Sequence, residues 1–487
     1  MAAAATALAT AAGLGAVAAA PANARSAAAP DVTITVDTAH PFGNLPSDFV
    51  GLSFEERELG VGSFTAHTGN LAALFRTLGR SNLRIAGNTL DRDTLWVPAG
   101  HQPPSPLPSW VQDVVTPADI ARLNTFLKAS GWKAEVGINV GHFDPALAAD
   151  EAADLRTTLG SRLVGAECGN EPNSWLGKGL RTAPFGYPQY KSDWEACAQA
   201  AGTTRLAGPD TSSPTSTGPW VASFAQDEQK KVNLLTIHSY SVNSSATVTD
   251  LLSAKTDASE LSAVSAELAS ARGVGLPIRI DETNSAAGGG VVGVSDTYAS
   301  ALWAFDYSLL MAQDGFSGLN FHGGLGMCEA PLFNGKFQIY TPVCAANDAD
   351  AKAAVYKAMP EYYGLYMAAQ MGGGRFLPVT VSSNADNVTA YAVRGGDGKI
   401  RVAVIEKDPT TAGSVRIQLK IGGHSGTAQV IHLTGSSLGA QDTAVQGATV
   451  SRSGHLSPKP ANHVAVHGGM LDVSLASGSA AILTLAG

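Results

Sequence analysis

The chain has 487 residues, 45% of them hydrophobic, which is too long for one ordinary domain and apolar enough for large packed cores rather than disorder. Its net charge is −9 and its lysines and arginines are scattered, so no basic stripe is available for a phosphate backbone and nucleic acid is excluded as a partner. We expect one large domain and one smaller one.

Residues 1–30 form an apolar, Ala-rich opening that contains the small-x-small site Ala22, Asn23, Ala24. Such a segment is typical of a secretory signal peptide, although the basic residues that usually precede the apolar stretch are absent. Either the true start lies upstream or the segment is only an Ala-rich leader. We expect a secreted, extracellular protein, and no later stretch has the roughly eighteen uninterrupted apolar residues of a membrane span.

Residues 31–45 begin with "DVTITVD", an isolated strand without a helical partner, which we expect to join the C-terminal β domain. Between residues 46 and 371, eight apolar or β-branched runs alternate with stretches of helical period. The runs are "VGLSF", "NLRIAG", "KAEVGINV", "RLVGAEC", "TRLAGPD", "VNLLTIHSY", "PIRIDET" and "FSGLNFHG". Thr116 is a natural N-cap for one intervening helix, and Gly315 lies just past the end of another.

Strands that alternate with helices in this way predict the α/β class, and their number predicts a (β/α)8 TIM barrel. A doubly wound open sheet is the main rival, but no GxGxxG follows the first strand as its nucleotide site would require. Residues 372–487 show period-two alternation separated by turn residues. This pattern predicts a C-terminal antiparallel β-sandwich domain.

The four cysteines are Cys168, Cys197, Cys328 and Cys344. They form no CxxC pair, so neither zinc nor thiol-redox chemistry has support, and we expect no metal and no cofactor. In an exported chain Cys328 and Cys344 bracket a loop short enough to close, with a stabilisation of about 3 kcal/mol in the chain-entropy model. Two reduced, buried thiols are the alternative, and the sequence leaves both open.

Polar residues crowd the ends of the predicted strands, where the loops of barrel enzymes build their sites. They are Glu55, Glu56, Asn88, Asn139, His142, Asn170, Glu171, Asp210, His238, Tyr240, Glu282 and His322. An ionised carboxylate away from water needs a partner or a raised pKa, so a purely structural barrel has no reason to end strands four and seven in Glu171 and Glu282. Glu167 lies inside its strand run and is predicted to be a buried ion-pair partner instead.

Glu171 and Glu282 stand on non-adjacent strands whose ends face each other across the barrel mouth. Two opposed carboxylates are the equipment for glycoside hydrolysis, in which one protonates the leaving oxygen and the other attacks the anomeric carbon or activates water. We predict a separation of about 5 to 5.5 Å between the two carboxyl groups, the spacing of retaining enzymes.

The stretch "CGNEPNSW" resembles the Asn-Glu-Pro signature at the end of strand four in clan A retaining glycosidases. "RIDETNSAAGGG" resembles the strand-seven nucleophile loop of glycoside hydrolase family 79, the β-glucuronidase and heparanase family. The resemblance covers nearly the whole chain. It implies Glu171 as the acid/base, Glu282 as the nucleophile and Asn170 as a donor to the sugar 2-hydroxyl.

The same resemblance implies substrate-binding roles for residues around the pair. Tyr240 corresponds to a tyrosine that hydrogen-bonds the nucleophile, Glu55 to a glutamate that touches sugar hydroxyls, and Tyr340 to a tyrosine of the same pocket. Asn88 keeps its family position in "LRIAGN". His322 either lines the pocket or packs beneath a loop.

The family acts on β-linked glucuronic acid, so a carboxylate must be held. We expect the backbone N–H groups of Gly288 and Gly289, together with the Tyr340 hydroxyl, to hold it without a metal. The alternative for these glycines is a flexible loop only. Relatives often have a tyrosine where this chain has Ala287, which leaves the exact uronic acid open.

The leading hypothesis is a secreted retaining exo-β-glucuronidase that acts on a glycan or aryl glucuronide by double displacement. A clan A β-glycosidase for a neutral sugar, such as a β-xylosidase or endoglucanase, would share both glutamates. A carbohydrate-binding barrel that has lost catalysis is the third alternative. The sequence does not set the oligomeric state.

Overall fold

The computed structural model describes residues 30–328, 331–332, 336–382, 387–408 and 413–486, so the predicted leader lies outside the described residues except for its last one. Eight parallel strands close into a barrel in which the last pairs with the first, which confirms the predicted TIM barrel. In chain order they are β1 Val50–Glu55, β2 Asn82–Ala86, β3 Lys133–Ile138, β4 Leu163–Cys168, β5 Leu206–Thr211, β6 Val232–Val242, β7 Ile278–Ala286 and β8 Gly318–His322.

Helices follow the strands and cover the barrel. The longer ones are Leu71–Leu78, Pro117–Ser130, Pro145–Leu159, Tyr187–Ala201, Pro214–Glu228, Ala254–Val274, Tyr298–Asp314 and Pro360–Gln370. The shorter ones are Arg57–Gly60, Gly87–Asp93, Val248–Leu251 and Asp348–Lys352. Within the described ranges, none of these helices combines the length and apolarity that crossing a bilayer requires.

Helix ends follow their local sequence. Pro117–Ser130 begins after Thr116, whose backbone N–H and hydroxyl both donate to Asp119, at 2.8 and 2.7 Å, in a capping box. Tyr298–Asp314 ends at Gly315, whose φ of +113° suits a residue without a side chain.

Two packed sheets form the C-terminal domain, as predicted. The smaller has the order Val379–Val381, Val32–Val36, Ser414–Ile421 and Met470–Ala476. The larger has the order Phe42–Leu45, Gly374–Leu377, Val388–Gly395, Ile400–Glu406, Ala480–Leu485, Gly426–Gly435 and Thr443–Val445, with Asn462–Val466 paired to Gly426–Gly435. The pair of Val32–Val36 with Ser414–Ile421 is parallel, whereas the other pairs described in these sheets are antiparallel.

Among the described residues, three short ladders lie outside the barrel and the sandwich. They pair Thr94–Trp96 with Asp113–Val115, Pro331–Leu332 with Lys336–Phe337, and Val343–Cys344 with Lys357–Ala358.

The larger sheet packs against the barrel through a mixed apolar and charged interface. Apolar side chains of this sheet, Tyr391 among them, belong to the same hydrophobic core as the barrel helices. The buried ammonium of Lys407 contacts Asp306 and lies 2.6 Å from Asp257, and the Tyr391 hydroxyl donates to Asp306 at 2.8 Å. A buried charge with such partners is costly to expose, so the two domains are held together.

All four cysteines are paired in two disulfides. Cys328 bonds Cys344, which settles the pairing that the sequence left open, and Cys168 bonds Cys197, which sequence reasoning did not foresee. Cys168 is the last residue of β4, and Cys197 lies in the helix Tyr187–Ala201. The Cys168–Cys197 disulfide therefore anchors the end of β4 just before Asn170 and Glu171.

Candidate active site

A cavity of about 630 Å³ opens at the C-terminal ends of the barrel strands. Nine of the predicted site residues line it: Glu55, Asn88, Glu171, Tyr240, Glu282, Gly288, Gly289, His322 and Tyr340. Asn170 is buried beside Glu171 and completes the predicted set. The fold thus brings all of these residues to one place, together with His238, which was expected at a strand end without an assigned role, and with Arg92, Lys178 and Gln338, which were not predicted.

The backbone after β4 is shaped to present Glu171. Gly169 has φ +84°, and a Cβ atom there would lie 2.4 Å from the Trp175 ring, so only glycine fits. Glu171 itself is left-handed, with φ 49° and ψ 57°. Its N–H donates to the Asp210 carbonyl at 2.9 Å, and its carbonyl accepts from the Ser174 N–H at 2.9 Å, which holds this uncommon conformation.

Asn170 is oriented by two buried charged residues. Its N–H donates to Asp91 at 2.7 Å, and its side-chain oxygen accepts from Arg84 at 2.9 Å. Because the oxygen faces Arg84, the amide nitrogen is turned away, and it has no hydrogen-bond partner among the described residues. A buried donor without a partner is costly, so this group is poised to bind a ligand oxygen.

Glu282 is surrounded by positive charge and hydrogen-bond donors. Arg84 lies 2.9 Å from one carboxylate oxygen, and the Tyr240 hydroxyl donates to the other at 2.9 Å. His322 and His238 each lie 3.9 Å away. Burial alone would raise the pKa of Glu282, but these neighbours hold that pKa well below its usual range. Glu282 is therefore ionised at neutral pH.

Arg84 connects the two halves of the site. Its guanidinium lies 2.9 Å from Glu167, 3.1 Å from Asp281 and 2.9 Å from Glu282, and it donates to Asn170. The arginine is wholly buried inside the barrel, as are Glu167 and Asp281. A planar guanidinium group that binds several partners fixes the positions of their side chains.

More carboxyl groups surround Arg84 than it can neutralise. Burial raises the pKa of Glu167 to about 7 and that of Glu135 to about 8, and it raises the pKa values of Asp210 and Asp281. Some of these groups therefore hold protons at neutral pH, and the charge of Arg84 remains available to Glu282.

The electrostatic setting of Glu171 differs from that of Glu282. One of its carboxylate oxygens faces His238 Nδ1 at 3.3 Å, and the other faces the ammonium of Lys178 at 2.8 Å. Burial by itself would raise the pKa of Glu171, but the hydrogen bond from His238 and the charge of Lys178 lower it to about 2. One oxygen of Glu171 lies within 4.8 Å of one oxygen of Glu282.

His322 lines the cavity rather than packing beneath a loop. It lies 3.7 Å from Glu55 and 3.9 Å from Glu282. Burial disfavours a charge on the imidazole, but the two carboxylates outweigh this effect and raise the pKa of His322. Glu55 also accepts hydrogen bonds from the Thr89 N–H and hydroxyl, at 2.8 and 2.9 Å, and is fixed in the cavity wall.

The glycine loop after β7 forms another part of the wall. Gly288 and Gly289 have φ of +79° and +104°, conformations that residues with side chains rarely adopt. The Gly289 carbonyl accepts from the Ile339 N–H at 2.6 Å, which ties the loop to the segment that carries Tyr340. Among the described residues no partner is found for the N–H groups of Gly288 and Gly289.

In the described part of the chain, three clusters of imidazole and carboxylate atoms within 4.8 Å of one another have the spacing of metal ligands. They are Glu171 with His238 and Glu282, Asp210 with His238 and Asp281, and Glu135 with Glu167 and Asp281. Arg84 already lies against Asp281 and Glu282, and Lys178 against Glu171. Because these side-chain cations supply the compensating charge, we assign no metal to the clusters.

Sequence reasoning missed Arg84, Lys178 and Asp91 as site residues. Arg84 had a signal, since it is a charged residue inside the apolar run "NLRIAG" and must find partners within the barrel. Lys178 had none, because it follows Glu171 by seven residues in a loop without periodicity. Lys178 and Arg92 both line the cavity, although neither was singled out in the sequence.

No model of a known protein family matches the chain. A stretch of 133 residues is 30% identical to a β-glucuronidase from Aspergillus niger, and it covers 27% of this chain and 22% of that protein. The fold is similar to that of a 4-O-α-L-rhamnosyl-β-D-glucuronidase from Fusarium oxysporum, with a TM-score of 0.75, 22% identity and coverage of 93% of this chain and 100% of that one. It is also similar to a GH51 arabinofuranosidase from Xanthomonas axonopodis pv. citri, with a TM-score of 0.69, 14% identity and coverage of 94% and 100%.

Proposed function

We propose that this chain is a retaining glycoside hydrolase that removes terminal β-linked glucuronic acid. The observation that carries the proposal is the approach of Glu171 and Glu282 to within 4.8 Å across the cavity. Retaining enzymes hold their two carboxyl groups about 5 to 5.5 Å apart, whereas inverting enzymes leave room for a water between them.

The proposed reaction proceeds in two displacements. The ionised Glu282 attacks the anomeric carbon while Glu171 donates a proton to the leaving oxygen, which forms a glycosyl-enzyme and releases the aglycone. Glu171 then takes a proton from water, whose oxygen attacks the anomeric carbon and frees Glu282. Arg84 and Tyr240 keep Glu282 ionised for the first step, and the free amide of Asn170 is available to a sugar hydroxyl.

Three observations support glucuronic acid as the sugar. Gly288 and Gly289 line the cavity, and their N–H groups have no partner among the described residues; free backbone N–H groups can bind anions. The Tyr340 ring lies 6.0 Å from that of Tyr240 and 6.3 Å from that of His322, which puts Tyr340 in the same wall. A matched segment and a similar fold belong to enzymes named for glucuronides.

A panel of 4-nitrophenyl glycosides tests the proposal. We expect hydrolysis of the β-glucuronide, with the β-anomer of glucuronic acid as the first product seen by NMR. Preferential hydrolysis of a xyloside, glucoside or arabinofuranoside would show that the preferred sugar is not glucuronic acid, while the proposed two-displacement mechanism would stand. Absence of turnover on every member would favour a carbohydrate-binding barrel.

Glu171→Ala is expected to separate substrates by their leaving groups. With an alkyl glucuronide, which needs protonation, kcat/KM should fall by about 10²- to 10⁴-fold. With 2,4-dinitrophenyl glucuronide the bond-breaking step should be nearly unaffected, and azide should restore turnover as a glucuronyl azide. Glu195→Ala, on the outer helix Tyr187–Ala201, is the control. Equal losses on both substrates without azide rescue would contradict the assignment of Glu171.

Tyr340→Phe is expected to weaken the preference for an acidic sugar. One hydrogen bond to an ionised group contributes about 1.5 to 3 kcal/mol, so kcat/KM for the glucuronide should fall by about 10-fold or more while the slow glucoside reaction stays nearly constant. Tyr187→Phe, outside the cavity, is the control. An equal loss on both sugars would assign Tyr340 to the chemistry or the fold.

Export from the cell is a further part of the proposal. The Ala-rich segment of residues 1–30 lies almost entirely outside the described residues, so the support comes from the two disulfides, which persist in oxidising compartments.

A further inference from the structure

Both carboxylate oxygens of Glu171, the proposed acid/base, are in contact with hydrogen-bond donors. His238 faces Oε1 of Glu171, and the ammonium of Lys178 lies 2.8 Å from Oε2. A general acid must carry its proton on an oxygen that faces the leaving group. While this ion pair is formed, Glu171 cannot donate a proton, because the ammonium of Lys178 occupies the position beside Oε2 where that proton would be.

We propose that Lys178 is a displaceable counter-ion of Glu171, and that its withdrawal lets Glu171 become protonated and act as the acid. This inference rests on the proposed glycosidase function. On withdrawal Lys178 keeps its own proton, and Glu171 takes up one proton from solvent water in the cavity. The leaving-group oxygen then occupies the position beside Oε2 that the ammonium held.

The loop that carries Lys178 can accommodate this movement. Gly177 and Gly179 flank the lysine, and Gly179 has φ +75° with open space where a side chain would be. The lysine side chain is 19% exposed and lines the cavity, so it can move into solvent without crossing the core. Arg181, a few residues later, is held by Asp193 at 2.9 Å, which limits the movement to the segment around Lys178.

The remaining neighbours of Glu171 do not replace Lys178 as its cation. His238 and Tyr240 approach from β6 and Glu282 from β7. Burial lowers the pKa of His238, so this imidazole is neutral near pH 7 and only donates a hydrogen bond. Glu282 carries a negative charge and works against ionisation of Glu171. Lys178 is thus the cation in direct contact with this carboxylate among the described residues.

Lys178→Met tests the inference by direct titration. The carboxyl of Glu171 is followed by ¹³C NMR in protein labelled at glutamate Cδ and assigned by its loss in Glu171→Gln. An opposite charge at this distance lowers a carboxyl pKa by about 1 to 3 units, so Lys178→Met should raise the pKa of Glu171 by about that amount. Lys178→Arg, which keeps the charge, should leave it low. Lys191→Met removes a lysine paired with Asp227 outside the cavity and is the matched control.

The pH dependence of kcat/KM links the titration to activity. With methyl glucuronide, the basic limb of the kcat/KM profile should move to higher pH in Lys178→Met. At pH values above the basic limb of the wild type, kcat/KM of the variant should be at least about tenfold higher than that of the wild type. With 2,4-dinitrophenyl glucuronide no such gain should appear. The inference is overturned if the pKa of Glu171 is unchanged in Lys178→Met. It is also overturned if that pKa rises but the basic limb of the kcat/KM profile stays at the wild-type pH. Absence of glycoside turnover in the wild type would instead refute the proposed function, since the titration needs no substrate.

Discussion

Glu282→Gln is expected to reduce turnover by at least about 10⁴-fold on every glycoside, because it removes the nucleophile while keeping the shape of the side chain. Unlike Glu171→Ala, Glu282→Gln should also lose activity on substrates with an activated leaving group, because the first displacement cannot occur without the nucleophile. The measurement is kcat/KM for the alkyl and the dinitrophenyl glucuronide, with circular dichroism and Tm to show that the protein is folded.

Glu260→Gln is a matched control for this variant. Glu260 is also a buried glutamate, it accepts a hydrogen bond from the Trp303 indole at 3.0 Å, and burial raises its pKa to about 8. It is therefore already neutral near pH 7, and the amide should preserve both its charge and its bond. A Glu282→Gln variant that retains more than a small fraction of activity would show that another group is the nucleophile.

Arg84→Met is expected to damage both stability and catalysis. It leaves Glu167, Asp281 and Glu282 without their common cation, and breaking a buried ion pair from one side costs about 3 to 5 kcal/mol. It also releases the amide of Asn170. We expect kcat/KM to fall by at least about 100-fold, since misplacement of reacting groups has effects of this size.

The pH profile shows whether Arg84 acts on the nucleophile. In the wild type the pKa of Glu282 lies well below its usual range, so Glu282 loses its charge only in strong acid. Without Arg84 the pKa of Glu282 should rise, and the acidic limb of kcat/KM should move to higher pH. Arg84→Lys keeps the charge but lacks the planar guanidinium group, so it should shift the acidic limb less and keep the protein folded.

Arg279→Met separates this effect from general destabilisation. Arg279 is also a buried arginine of the barrel, but it contacts Asn320 and the carbonyls of Phe49 and Leu319 near the starts of the strands. Its loss should lower Tm and leave the acidic limb in place. The same limb shift in both variants would mean that Arg84 has no specific effect on Glu282.

The barrel could be predicted because each of its strands contains a distinct apolar run, but β7 extends three residues beyond its run. β7 continues through Asn284 and Ser285, which are polar and yet wholly buried. Asn284 donates to the carbonyls of His322 and Tyr340, at 2.9 and 3.2 Å. Such partners come from distant parts of the chain, so a local pattern cannot reveal that the strand continues.

The candidate site was predictable where a residue's place in a strand decided its position. Glu171 and Glu282 follow from the rule that barrel strands present their ends to one face. Lys178 and the Cys168–Cys197 bond do not, because both depend on how a loop or an outer helix folds back onto β4. The parallel direction of Val32–Val36 likewise depends on the path of the chain between distant strands.

The position of Val32–Val36 has a consequence for biosynthesis. This strand leaves the ribosome long before its neighbours Val379–Val381 and Ser414–Ile421, and the adjoining contact of Asp31 with Arg416 spans 385 residues of chain. Long-range pairing of this kind forms slowly, because the chain between the partners must be ordered or looped out first. The nascent polypeptide therefore carries an unpaired, apolar β segment until these neighbours have emerged, and the smaller sheet can be completed only after Met470–Ala476 has emerged as well.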